Sequence, residues 1–169
     1  MKTIARLLML ITMMLVLTSC GFHLRNHQKH IRSQYPILIL PQSGSHTFHQ
    51  ALRRALQTAA VRVVEESPPG ATEIPTLTVA AENLTAQPLV YGPDSELRRE
   101  RLKMRVGFTL SKNKLHTFEF FTERDRQLNS KQHLGDNAEK ILIEQEMQAD
   151  IINQLLRFLA ANPLKSHAL

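Results

Sequence analysis

Arg101-Leu102-Lys103-Met104-Arg105-Val106-Gly107-Phe108-Thr109-Leu110 alternates without interruption. Leu102, Met104, Val106, Phe108 and Leu110 fall on one side, and Arg101, Lys103, Arg105, Gly107 and Thr109 on the other. Successive side chains of a strand point to opposite faces of its sheet, so this stretch reads as a half-buried strand with a wholly apolar inner side. Ser111-Lys112-Asn113-Lys114 can close a hairpin, and Leu115 to Thr122, rich in Phe, returns beside it. A sheet that is apolar on one side must be covered there, so amphipathic helices are expected elsewhere in the chain.

Downstream, Asp136 or Asn137 can cap a long final helix. Its apolar set is Ile141, Leu142, Ile151, Ile152, Leu155, Leu156, Phe158 and Leu159, with Pro163 beyond its end. Upstream, Pro88, Gly92 and Pro93 mark a loop, and Thr76 to Ala81 alternates as a further strand. Ser67-Pro68-Pro69-Gly70 is a loop, Arg62-Val63-Val64 a short strand, and Ile37-Leu38-Ile39-Leu40 a buried strand closed by Pro41. Between them Phe48, Ala51, Leu52, Ala55, Leu56 and Ala59 recur at the spacing of one helix face, with Ser45 or Thr47 able to cap its start.

The expected order is β-α-β-β-β-β-α, or four strands if Arg62–Glu65 and Thr76–Ala81 belong to one bent strand. The fold class that follows is α+β, with two helices packed on one face of a mostly antiparallel four- to five-stranded sheet. The other face is left for solvent or a partner. Residues 36–162 make one domain of this kind, and 163–169 a C-terminal tail.

The N-terminus has a different logic. Lys2 and Arg6 precede an apolar run from Leu7 to Leu17, and Thr18, Ser19 and Cys20 follow at once. That is the charged, apolar and small-residue pattern of a secretory signal, and residues 1–19 are read as one. A transmembrane helix needs roughly 20 apolar residues, and this run is shorter. Cys20 is the one cysteine in the sequence, so no internal disulfide framework exists. Leu17-Thr18-Ser19-Cys20 fits the lipobox pattern of bacterial lipoproteins, against the plainer alternative of an ordinary signal with an incidental cysteine. Resemblance to bacterial lipoproteins implies a diacylglyceryl thioether and an N-acyl chain on Cys20. Two or more chains hold a protein stably where one does not. Gly21 stands where an Asp would retain such a protein at the inner membrane, which implies an outer-membrane anchor facing the periplasm. Residues 20–35 then read as a lipidated cysteine and polar tether.

The chain carries 21 Lys+Arg against 15 Asp+Glu, a formal charge of +6, and the signal accounts for two of the positive charges. A mildly basic balance leaves room for anionic partners such as lipid head groups, while export argues against nucleic acid. No catalytic signature is present: no G-x-S-x-G elbow, no phosphate-cradling glycine loop and no Cys-His pair. His46 and His49, and His27 and His30, stand three apart, but neither pair has a third ligand nearby in sequence, so they read as solvated histidines and not as a metal site. No non-covalent cofactor is implied.

Arg98, Arg99, Arg101, Lys103 and Arg105 form a basic cluster offset only by Glu100. Arg101, Lys103 and Arg105 project together about 7 Å apart along the strand, a spacing suited to a multiply phosphorylated anion. The plainer alternative is a solvated outer face, or an edge guarded by charge.

Cys20-Gly21-Phe22-His23-Leu24-Arg25, C-G-F-x-L-R directly after the lipobox, resembles the opening of the LptE family of lipopolysaccharide-assembly lipoproteins. An early strand and helix, a long central hairpin and a terminal helix entered through Gly135-Asp136-Asn137 are similar in outline. The resemblance implies a non-enzymatic protein that plugs the lumen of a large outer-membrane β-barrel, LptD, and helps deliver lipopolysaccharide to the outer leaflet. In the family, basic residues in the loop before the central hairpin and just ahead of the final helix meet lipopolysaccharide. Here those places hold Val90-Tyr91-Gly92-Pro93 and His133-Leu134-Gly135, with no Arg or Lys. The nearest candidates on local chemistry are Arg98, Arg99, Arg101, Lys103, Arg105 and Lys131. The alternative function is another periplasm-facing lipoprotein, which binds a lipid or cell-wall ligand on its free sheet face.

The lipobox reading has a direct consequence. A thioether needs a thiol, so Cys20→Ser is expected to abolish incorporation of labelled fatty acid. Equal labelling of the variant and the parent would show that Cys20 is not the acceptor.

Overall fold

In the computed structural model the described residues are 27–68, 70, 74–112, 114–128 and 133–162. In chain order they form α1 (His27–Gln34), β1 (Ile37–Ile39), α2 (His46–Thr58), β2 (Arg62–Val64), β3 (Thr76–Val79), β4 (Asn83–Tyr91), β5 (Leu97–Ser111), β6 (Leu115–Gln127) and α3 (His133–Ala161). The signal segment, Cys20, Lys131 and the tail from Pro163 lie outside the described residues.

β5 is the backbone of the sheet. It pairs antiparallel with β6 over most of its length, from Arg99↔Gln127 to Ser111↔Leu115. Its other edge takes β3 (Val79↔Phe108) and then β4 (Asn83↔Arg105), both antiparallel. β1 joins β3 in parallel and carries β2, also parallel, at the far edge. The class is α+β, with a mixed and mostly antiparallel sheet. Arg62–Val64 and Thr76–Val79 are separate strands on either side of β1 and not one bent strand.

One face of the sheet is the core. Leu102, Met104, Val106, Phe108 and Leu110 are all buried, as the alternation requires. Leu52 and Leu56 of α2 and Ile151, Leu155 and Leu159 of α3 join them in one cluster. Phe108, Phe118 and Phe158 stack in series, with ring centroids 5.8 Å and 4.3 Å apart, and bind α3 to the β5–β6 hairpin. Ser45 is the α2 N-cap, its Oγ accepting from the Phe48 amide at 3.3 Å. That leaves Thr47 inside the helix.

Four expectations are corrected. Residues 27–34 are helix and not tether, because Ile31 and Tyr35 form a one-turn apolar pair that is fully buried, and the Tyr35 hydroxyl donates to the Asn162 carbonyl at 2.9 Å. The helices thus number three among the described residues. The stretch read as a loop around Pro88 is strand β4, which makes six strands. Proline is tolerated there because β4 is an edge strand. The final helix begins at His133, so Asp136 lies in its first turn and is not its cap. Ile141 and Leu142 are 56% exposed, because this end of α3 runs past the core and meets it only through Ile143.

Core and surface positions of α3 should therefore respond differently to truncation. Leu155→Ala is expected to cost about 2–5 kcal/mol of folding stability, and Ile141→Ala less than about 0.5 kcal/mol. Urea unfolding of the two variants against the parent checks this. Equal losses would show that the buried stripe is placed wrongly.

Candidate functional site

The β4–β6 half of the sheet has a second, open face, and the alternation of β5 decides what stands on it. Arg99, Arg101, Lys103 and Arg105 all project there, opposite the buried row. Directly across the hairpin, Arg101 faces Asp125 and Lys103 faces Glu123. Arg101 grips Asp125 with two bonds, Nε to Oδ1 at 2.7 Å and Nη2 to Oδ2 at 3.2 Å. Arg99 adds a third at 3.2 Å. Lys103 Nζ lies 2.7 Å from Glu123 Oε1 and 4.7 Å above the ring of Phe121.

The cluster was expected to be unopposed apart from Glu100, and that is corrected: three of its cations are held by carboxylates of β6. The pairing was recoverable from the hairpin itself. Once Ser111 is set against Leu115, register places Glu123 and Asp125 opposite Lys103 and Arg101. Glu100 serves elsewhere. It points to the helix side, is buried, and takes Arg126 Nε at 2.6 Å, while Arg126 Nη1 donates to the Asp136 carbonyl at 2.9 Å. This pair ties the first turn of α3 to the sheet.

Two candidate cations have no carboxylate partner among the described residues, Arg98 and Arg105. Arg105 is exposed between Asn83 and Phe121. Arg98 folds back across the turn that joins β4 to β5, so close to Gly92 that a Cβ at that position would stand 2.2 Å from its Nε. The turn closes through Gly92 N to Glu96 O at 2.7 Å, with Ser95 at a φ of 60°. Folding thus brings a guanidinium to Tyr91-Gly92-Pro93, a loop that has no basic residue of its own. Lys131 and Cys20 lie outside the described residues.

The histidines separate. His46 is exposed, whereas His49 is buried with no hydrogen-bond partner for its Nε2, so the expectation of a solvated pair fails for His49. His27 and His30 lie on α1, and their side chains are outside the described residues. On the helical layer a groove of ≈ 680 Å³ separates α2 from α3, lined by residues such as Gln50, Ala51, Ala55, Gln148, Ala149 and Ile152. Its lining holds no carboxylate or nucleophilic thiol. Among the described residues no helix is long and apolar enough to cross a membrane.

Residues 37–159 match the family model described as LptE, lipopolysaccharide-assembly. No curated protein sequence matches the chain. Among solved structures, the fold is similar to rare lipoprotein B from Shewanella oneidensis, with a TM-score of 0.65 and 21% identity over 74% of this chain and 94% of that one. It is similar also to lipoprotein B from Nitrosomonas europaea, with a TM-score of 0.62 and 20% identity over 75% and 83% of the two chains. A minor lipoprotein from Acinetobacter baumannii gives a TM-score of 0.60 and 18% identity over 76% and 92%.

The ion pairs of the open face leave a titration signature. The hydrogen bonds from Arg101 hold the Asp125 carboxyl below its ordinary value of 3.8. The hydrogen bond from Lys103 likewise holds Glu123 below 4.5. A carboxylate whose folded pKa is depressed adds stability above its unfolded pKa and loses it as pH falls through the folded one. The pairs are therefore fully effective at neutral pH and fail only in acid, below the ordinary carboxylate range. Carboxyl-carbon NMR titration should give both midpoints below those ordinary values, and Arg101→Gln should move Asp125 back up. An unmoved Asp125 midpoint would show that the bidentate pair does not form in solution.

Proposed function

The chain belongs to the LptE lipopolysaccharide-assembly family, and from that premise we propose that it is an outer-membrane lipoprotein that plugs the LptD β-barrel. In this role it helps the barrel assemble and assists delivery of lipopolysaccharide to the outer leaflet. The family match over residues 37–159 carries the reading. The physical character of the domain supports it. Outer-membrane barrels are polar inside, so a plug needs an outer surface of polar groups that are already paired. On the open face Arg99, Arg101 and Lys103 are engaged by Asp125 and Glu123, and Asn83, Thr85, Gln87, Thr109 and Thr117 supply uncharged polar groups. The lipid on Cys20 would hold the domain at the membrane that contains the barrel. The role requires no catalytic group.

For direct contact with lipopolysaccharide phosphates, the candidates narrow to Arg98 and Arg105. A guanidinium or ammonium beside a carboxylate is already partly neutralised and has fewer donors to offer, so it attracts a phosphate less strongly than these two, which have no carboxylate partner among the described residues. Arg99, Arg101 and Lys103 then act chiefly in the pairing of β5 with β6, and Lys131 stays a candidate on charge alone.

The test has two arms. A tagged native chain extracted in mild detergent should bring down a barrel several times its size in equal amount. Arg98→Glu with Arg105→Glu should leave barrel recovery intact while weakening lipopolysaccharide binding. Loss of one charge-assisted contact of about 1.5 kcal/mol corresponds to roughly tenfold in Kd, and the loss should be larger at low salt. Recovery of the chain without a barrel would overturn the plug reading. Unchanged lipopolysaccharide affinity in the double variant would overturn the assignment of these two arginines.

A further inference from the structure

Gly107 stands inside β5, and nothing around it asks for a glycine. The β5–β6 ladder runs through it without a shift, Gly107 opposite Glu119. The glycines with positive φ are Gly44 and Gly70, so its backbone is one that any residue adopts. A Cβ built on it would meet only the Ala80 methyl, at an ordinary contact distance of 3.5 Å. Glycine weakens a strand interior, and where neither a turn nor crowding requires it, it commonly marks a place where something else approaches the backbone.

The bare position lies on the open face, beside an aromatic ring that is out of place among polar neighbours. Phe121 pairs with Arg105, so its neighbours on β5 on this face are Lys103, Arg105 and Gly107. Lys103 Nζ lies 4.7 Å from the ring centroid. On the other flank Gly107 puts no side chain over the ring, and Phe121 is left 54% exposed. Arg105 and Glu119 are both exposed, and neither has an ion pair among the described residues. One gap in the face is thus bordered by an open ring, a free cation and a free carboxylate.

We propose that Phe121, Gly107, Arg105 and Glu119 bind a saccharide, one ring of which lies over Gly107 with its C–H face against Phe121. A sugar ring is amphipathic: weakly positive C–H bonds occupy its faces and hydroxyls its rim. The negative face of an aromatic ring attracts the former. The latter need a donor and an acceptor, because a hydroxyl does both; Arg105 can only donate and Glu119 can only accept. A ligand of phosphates alone would be repelled by Glu119, and an acyl chain would bury two charges without partners. The site is complete in one copy of the chain. Its assignment to the sugars of lipopolysaccharide rests on the function proposed above, whereas the saccharide chemistry does not.

The test titrates the full chain, in an amine-oxide detergent that brings neither sugar nor phosphate, with two probes followed by NMR. One is lipopolysaccharide saccharide that has been deacylated and dephosphorylated. The other is a tetramer of N-acetylglucosamine, which stands for cell-wall glycan. With at least one of them the Phe121 ring protons and the Gly107 amide should shift and saturate together. Phe121→Leu should weaken that binding roughly tenfold, the size of one lost ring contact, and Phe121→Tyr should keep it. Gly107→Val fills the gap with a residue that favours strands, and should weaken binding as much without lowering the urea midpoint. Stronger binding of the first probe assigns the site to lipopolysaccharide and stronger binding of the second to the cell wall; both uphold a saccharide site. No shift with either probe overturns the proposal, as does binding that Phe121→Leu and Gly107→Val leave unchanged. If Gly107→Val disturbs the fold, Phe121→Leu against Phe121→Tyr decides. These variants keep Arg98 and Arg105, the first probe has no phosphate and no barrel is present, so failure here is distinct from failure of the phosphate assignment or of the plug.

Discussion

A single unbroken row of apolar side chains on β5, from Leu102 to Leu110, organises the rest of the molecule. Its burial demands a cover, and the two amphipathic stripes of the chain make that cover helical. α2 and α3 supply it, with Leu52, Leu56, Ile151, Leu155 and Leu159 set against the row. The same row determines the opposite face, since every position between buried residues must point away. The basic stripe is thus a geometric consequence of the core before it is anything else. Whether those charges repel or are matched is then decided by the strand across the hairpin, and there Asp125 and Glu123 match them.

The charges divide by burial. Arg126 and Glu100 form a pair on the helix side whose side chains are only 9% and 10% exposed. Breaking such a pair leaves an uncompensated charge in a poorly solvated place, which commonly costs several kcal/mol, about 3–5. The guanidinium also reaches a carbonyl in the first turn of α3, so it orients the end of that helix that has least apolar contact. The pairs on the open face are exposed and contribute far less individually. Their consequence is chemical: within the basic cluster they leave Arg98 and Arg105 as the cations without a carboxylate partner among the described residues.

Much of this was legible in the sequence, wherever one physical rule governed several residues together. Alternation over Arg101–Leu110 and the periodicity from Phe48 to Ala59 each gave the element, its inner face and its partners. Legibility failed where tertiary context outweighed a local signal. Pro88 reads as a loop until β4 is known to be an edge, where a missing N–H costs nothing. Ile31 and Tyr35 are too sparse a pair to reveal a helix, yet α3 buries both. Ile141 and Leu142 fit the apolar stripe but lie where α3 has passed the core. At the candidate site the basic residues were visible at once, whereas their neutralisation takes one further step, counting the hairpin register from Ser111 and Leu115. His49 stands three residues before Leu52 and seven before Leu56, on the buried stripe itself, and only its polar side chain kept it from being counted there.

Register also explains how β4 presents what it presents. Val79 pairs with Phe108, but Asn83 pairs with Arg105, so one extra residue is accommodated between β3 and β4. Because side chains alternate, that one residue reverses which face every later position takes. Continued in the register of β3, Leu84 and Ala86 would stand beside Lys103 and Arg101 on the charged face, and Thr85 and Gln87 would face the core. With the extra residue, Leu84 turns inward and packs against the buried cluster, and the amides and hydroxyl join the open face. Glu82 lies in this irregular stretch, and its carboxylate takes the Ser45 hydroxyl at the α2 N-cap and the Gln148 amide on α3. A carboxylate at a helix N-terminus is favourably placed. The residue that shifts the register is thus part of a stretch held by both covering helices, and the polarity of the whole β4 edge depends on its staying there.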